Sequence, residues 1–261
     1  MTSWQVASLR SGIAAVAVLL MMREARRGWS IRSFLVGAVY AATMILFVTA
    51  NKLTTAASTI FLQATAPLYI LLLGPLLLKE PIRRSDVGFM AALVAGLVML
   101  LLGVEAPAAT APHPFAGNVC AAASGLCWAL TVTGLRWMGK GGGGAAGGSA
   151  GPAVAIGNII AFTACLPWAL PLGGFSAPDW AIVLYLGIFQ IGLAYALLTS
   201  SIQHVPALET SLLLYLEPVL NPVWAWVFQG ERPGRWCVIG GALIITATAL
   251  KTWRDYSAGS H

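Results

Sequence analysis

Nine stretches of about twenty mostly apolar residues follow one another along this chain, and a run of that length crosses a lipid bilayer as a helix. They cover 3–22, 34–52, 56–78, 86–104, 115–138, 152–171, 180–203, 207–229 and 236–253. With 58% hydrophobic and 9% charged residues, the chain lacks the polar side chains to coat a water-soluble globule. Lipid is therefore its solvent, and membrane lipids are its first partners. The expected fold is all-α: a polytopic helical membrane protein with about nine transmembrane helices.

The net charge of +6 does not mark a nucleic-acid-binding surface, because the basic residues sit between apolar runs instead of forming one patch. Alternate connections carry Arg23, Arg26, Arg27 and Arg32, then Lys79, Arg83 and Arg84, then Arg136 and Lys140, then Lys251 and Arg254. The opposite side holds Lys52, Arg232 and Arg235. Eleven against three assigns the first set to the cytoplasm, which puts the N-terminus outside and the C-terminus inside. A basic cluster that follows the first apolar run, with no clear small-residue cleavage site, argues that this run is a retained span and not a signal peptide.

Cys120, Cys127, Cys165 and Cys237 all fall in apolar runs without CxxC spacing, so they read as packing residues, with no disulfide framework and no metal site. Enzyme motifs are missing too. No GxxxxGK[ST] cradles a phosphate, and GGGGAAGGS lacks both the Lys-Ser/Thr and the preceding strand of a nucleotide loop. Neither a GxSxG elbow nor an HExxH helix occurs. The sequence thus implies no cofactor and no catalytic residue.

A shift of 151 residues lays LTTAASTIFLQATAPLYILLLGPLLLKEPIRRSDV over HVPALETSLLLYLEPVLNPVWAWVFQGERPGRWCV. Pro67 then falls on Pro218, Glu80 on Glu231 and Arg84 on Arg235. Each copy reads as a helix with a central proline, a glutamate-containing turn and a second helix. These two segments resemble the paired copies of the EamA repeat, in the drug/metabolite transporter superfamily. SLRSGIAAVAVLL is similar to the arginine-containing second helix of that repeat. The resemblance implies ten helices in two inverted five-helix repeats.

Only four spans are visible in the first copy here, so the first helix of that repeat is expected to be missing from this chain, either because translation begins upstream of Met1 or because the protein is a nine-helix variant. The expected organisation is a first EamA-like repeat over 1–104 and an external linker over 105–114. A second repeat follows over 115–253, interrupted by the glycine-rich linker 139–151, and 254–261 forms a cytoplasmic tail. The resemblance further implies transport of a small organic metabolite, most often export of amino acids or related compounds across a bacterial-type inner membrane. A monomer is compatible with a two-repeat unit, and a homodimer is not excluded.

Polar groups within the spans are the candidate pathway residues. In LEPVLNPVWAW, Glu217 occupies the middle of a span, where a charge costs about 2.5–3.5 kcal/mol. Thr210, Glu217, Asn221 and Trp224 share one helical face. Pro218 and Pro222 bring no amide hydrogen, which frees the carbonyls of Leu214 and Pro218. Freed carbonyls at membrane depth need protein or a watery cavity around them. The face is therefore expected to line a solute route, with Glu217 as a candidate for proton coupling. The competing reading has Glu217 capping or pairing with a neighbouring helix.

Gln63 lies one turn before Pro67 and either contacts solute or bonds another helix. Gln190 and Tyr195 in 180–203, Tyr40 in 34–52, and Ser124 and Trp128 in 115–138 complete the set. Their aromatic rings suit an amphipathic solute but equally suit packing. Arg10, two turns into its span, either snorkels to the outer interface or pairs with an acid such as Glu209 or Glu217. Glu209 near a span end reads as solvated by headgroups. Glu80 and Glu231 read as loop and helix-end residues, and His113 and His204 lack the company that catalysis or metal binding needs. Two other functions fit a chain of this kind: a membrane scaffold, which needs no polar face at mid-membrane, and a passive channel, which lacks saturable counterflow.

Overall fold

The computed structural model describes residues 1–77, 84–102, 111–140, 150–201, 216–230 and 233–259. In chain order the helices are α1 Ser3–Met21, α2 Ile31–Leu53, α3 Ala56–Gln63, α4 Ala66–Leu77, α5 Arg84–Leu102, α6 Pro114–Lys140 and α7 Ala150–Ala169. Then come α8 Ala177–Tyr185, a π-helical segment Leu186–Leu193, α9 Ala194–Ser201, α10 Leu216–Gln229 and α11 Arg235–Gly259. Every element of more than four residues among the described residues is helical, as the apolar periodicity requires.

Among the described residues, six stretches are long and apolar enough to cross a membrane: Ser3–Met21, Ile31–Leu53, Pro114–Leu135, Gly151–Ala169, Ala177–Leu197 and Arg235–Arg254. Ala56–Ile70 and Asp86–Leu101 are shorter apolar helices. Large side chains such as Leu20, Ile31 and Phe228 lie on the outside, Phe228 with 77% of its surface exposed. Exposure on this scale suits a protein whose solvent is hydrocarbon. The chain is a polytopic helical membrane protein.

Two compact units organise these helices, and neither is a continuous segment. The first comprises Met1–Val48 and Leu130–His204, the second Thr49–Ala129 and Val205–His261. Each unit therefore draws on both halves of the sequence.

In the first unit α1 packs on α7 and on the π-helical segment. A capping box of Thr2 and Gln5 starts α1 and satisfies amides that have no helical partner. Small residues let the backbones approach. A Cβ at Gly12 would lie 2.8 Å from the Phe162 ring, and one at Gly187 would lie 2.9 Å from the Arg10 carbonyl oxygen. Ser8 Oγ donates to the Phe162 carbonyl at 3.1 Å. Small-residue contact and interhelical hydrogen bonding hold helices together where apolar burial supplies no driving force.

The second unit is built on α5 against α11. At their crossing, a Cβ on Gly96 would meet Ile244 at 2.6 Å and the Gly240 carbonyl oxygen at 3.0 Å. Asn118 ties α6 to α5 and to the connection between α2 and α3. It accepts from Thr54 Oγ1 at 2.8 Å, and its own Nδ2 donates to the Leu100 carbonyl at 2.9 Å.

The run 56–78, expected as one span, is two helices joined through Ala64 and Thr65. The cause is Pro67, which has no amide hydrogen to offer the Gln63 carbonyl one turn earlier. Thr65 rescues the neighbouring group: its Oγ1 donates to the Leu62 carbonyl at 2.6 Å. α11 also runs on through Gly259, continuing as a helix into the stretch read as a tail.

Candidate functional site

The polar side chains set into these helices fall into two groups, one in each unit. In the second unit the interruption between α3 and α4 places Gln63 at the last position of α3. Its Nε2 donates to Ser124 Oγ on α6 at 3.0 Å, and Ser124 is fully buried. α6 comes this close because residue 125 is glycine: a Cβ there would lie 3.1 Å from the Leu62 carbonyl oxygen. The interhelical bond expected as one reading of Gln63 is therefore present. Trp128, one turn further along α6, is half-buried.

α10 runs through both prolines of the LEPVLNPVWAW stretch. Its Asn221 is half-buried and donates from Nδ2 to the Ala56 carbonyl at the start of α3, at 3.4 Å. Glu217 is exposed. Trp224 is 52% exposed and lies against Phe228, ring centres 5.7 Å apart. Thr210, the remaining member of that face, lies outside the described residues, as do Glu80, Glu209, Glu231 and His204. His113 is exposed, and its amide donates to the Leu53 carbonyl at 3.0 Å.

In the first unit Arg10 does not snorkel. Only 5% of its surface is exposed, because α7 and the π-helical segment cover α1 on two sides. Its Nη2 reaches Met44 Sδ on α2 at 3.5 Å, a weak acceptor, and its Nε has no hydrogen-bond partner. Tyr40, one turn before Met44, is 1% exposed and meets Tyr195 of α9 edge to face with ring centres 5.8 Å apart. Both tyrosine side chains lie in the neighbourhood of the Arg10 guanidinium. Tyr40 and Tyr195, chosen separately from the sequence, are thus brought together, whereas Gln190 sits exposed on the π-helical segment, beside the exposed stacked pair Tyr185 and Phe189.

The sequence reading missed Asn158, fully buried at the middle of α7 and beside the Tyr40 hydroxyl. A lone amide inside AVAIGNIIAF was the available signal. Glycine precedes it for a steric reason: a Cβ at residue 157 would lie 2.5 Å from Tyr40 Cδ1 and 2.6 Å from the Gly37 carbonyl oxygen. A second omission is the ion pair of Asp86 on α5 with Lys251 on α11, at 2.7 Å. None of the four cysteines forms a disulfide; Cys165 and Cys237 are buried and Cys120 and Cys127 half-buried. Among the described residues no cluster of His, Cys, Asp or Glu has the makings of a metal site.

Membrane-length helices carrying buried amides, a buried tyrosine and a buried arginine define a multi-pass helical membrane protein. The EamA-like transporter family model matches residues 1–102 and 115–253, and the chain belongs to that family. It is similar to the pseudopaline exporter CntI of Pseudomonas aeruginosa, 24% identical over 266 residues that cover 93% of this chain and 84% of the relative. It also resembles the uncharacterised transporter YxxF of Bacillus subtilis, 24% identical over 71% of this chain and 58% of that protein. Among solved structures, the chain shares its fold with a crystal structure at a TM-score of 0.63, with 20% identity and coverage of 97% of this chain and 88% of that one.

Proposed function

We propose that this chain is a secondary transporter that exports small organic metabolites across the inner membrane by alternating access. The observation that carries this reading is the similarity to an exporter along 93% of the chain, with most of the relative's length included. The proposed solutes are amino acids or related compounds. The proposed orientation is N-terminus outside and C-terminus in the cytoplasm, from the distribution of Lys and Arg between the connections.

The interruption after Gln63 supplies unwound backbone, and Pro222 in α10 leaves the Pro218 carbonyl without its helical amide; transporter sites are built from such features. The pathway residues proposed on these elements are Gln63, Trp128, Asn221, Glu217, Trp224 and Thr210. Tyr40, Tyr195 and Gln190 are those proposed from the first unit. Glu217 is the proposed proton-coupling group.

Counterflow in proteoliposomes tests the reading. The full chain, loaded with unlabelled amino acids and related metabolites, is expected to drive saturable uptake of at least one labelled counterpart. Linear, unsaturable flux would point to a channel. No flux for any compound would remove the transport reading.

A further inference from the structure

Five buried side-chain polar atoms in the described residues lack a hydrogen-bond partner: Arg10 Nε, Ser11 Oγ, Tyr40 Oη, Thr133 Oγ1 and Asn158 Oδ1. All five belong to the first unit. Three of them are neighbours. Tyr40 on α2 lies near Arg10 of α1, and its hydroxyl sits close to Asn158 of α7 and Tyr195 of α9 without reaching hydrogen-bond geometry with either. Buried polar atoms are normally satisfied, so a cluster of orphans around a guanidinium needs a reason.

Charge sharpens the point. The acids of this unit are Glu24 and Asp179. Asp179 accepts from the Ser176 backbone and hydroxyl in a capping box, and Arg10 forms no ion pair with either. Among the described residues its one hydrogen bond goes to a thioether sulfur. A buried guanidinium without a carboxylate is a costly state that a carboxylate relieves, and the planar fork of arginine matches the two carboxylate oxygens.

Asn158 complements that end with the opposite polarity. Its Nδ2 is committed to the Val154 carbonyl at 2.9 Å, which leaves Oδ1 as an acceptor. The π-helical segment ends at Leu193, two residues before Tyr195, and such a distortion is frequent at functional sites.

We infer that Arg10, Tyr40 and Asn158 form a carboxylate-binding subsite. The guanidinium and the Tyr40 hydroxyl donate to the carboxylate oxygens, and Asn158 Oδ1 accepts from an N–H or O–H carried next to that carboxylate. The inference rests on the transport reading for the origin of its ligand, a carboxylate-bearing metabolite.

Thermal unfolding of the full chain in detergent, followed by its tryptophan fluorescence, tests the subsite without any flux. The probes are succinate, citrate and L-glutamate at millimolar concentration, with succinamide and inorganic phosphate beside them. At least one carboxylate is expected to raise the Tm of the wild type, while succinamide and phosphate leave it unchanged. Arg10→Gln is expected to weaken that response about 100-fold or more and, without ligand, to unfold at a higher temperature than the wild type, since the empty site is a cost. Tyr40→Phe, which keeps the ring and removes the hydroxyl, is expected to weaken the response by about 10-fold.

Three results overturn the subsite: a wild type indifferent to all three carboxylates, phosphate stabilising as well as they do, or an Arg10→Gln protein that melts earlier yet keeps its response. Failure of the transport reading is separable. A carboxylate-stabilised wild type without counterflow keeps the subsite and removes transport, whereas carboxylate counterflow that survives Arg10→Gln removes the subsite and keeps transport.

Discussion

The carboxylate of Asp86 meets the ammonium of Lys251 at 2.7 Å, with the two side chains 4% and 15% exposed. Asp86 stands in the first turn of α5, where the helix dipole also favours negative charge. The pair fastens the start of α5 to α11, beyond the glycine crossing that already holds the two helices together.

Breaking a buried pair by removing one partner leaves the other charge uncompensated, which costs about 3–5 kcal/mol. Asp86→Asn is therefore expected to lower the Tm in detergent well below that of the wild type. The double variant Asp86→Leu with Lys251→Met removes both charges and is expected to recover most of that loss. Equal melting of the single and double variants would show that the pair contributes nothing specific.

A smaller effect is expected at Gln63 and Ser124. A hydrogen bond between membrane helices is worth roughly 0.6 kcal/mol on average, so Ser124→Ala is expected to shift stability by about that much. If Gln63 also contacts solute, Gln63→Ala lowers counterflow by far more than its stability loss explains, and Ser124→Ala does not. Parallel loss in both variants would assign Gln63 to packing alone.

How much of this was legible beforehand depended on whether the cause was local. Nine apolar runs announce helices because length and polarity are read residue by residue, and Pro67 marks a weak point because its missing amide acts one turn away. That Gln63 bonds Ser124 depends on Gly125, which lets α6 come close enough there. Arg10 left two fates open, since depth along a helix does not reveal whether neighbouring helices cover it. Asn158 drew no notice because one amide in an apolar run has no spacing to betray its partners. Asp86 and Lys251 are far apart in sequence, and no periodicity links them.

Gly157 offers a test of packing with a built-in control. A methyl group there would press on the Tyr40 ring and on the Gly37 carbonyl oxygen, and the latter is backbone that cannot turn aside. Gly157→Ala is expected to cost about 1–3 kcal/mol and to blunt any response to carboxylates by displacing Tyr40. Gly173→Ala, with nothing within 4 Å of the added atom, is expected to leave the Tm nearly unchanged. Similar melting of both variants would mean that α2 and α7 separate easily at this crossing.

Glu217 carries the sharpest prediction about energetics. If its carboxyl takes up and releases a proton during each cycle, Glu217→Gln freezes it in the neutral form without changing its size. Counterflow, which needs no net proton movement, is then expected to persist, while uptake driven by an imposed pH gradient falls to the level seen with no gradient. Asn221 lies one helical turn away and donates to the Ala56 carbonyl. Asn221→Ala is therefore expected to lower flux with and without the gradient alike, since it removes an anchor and no titrating group. A Glu217→Gln protein that still responds to the pH gradient as the wild type does would remove Glu217 from the coupling step, and the proton would then have to be sought on another residue.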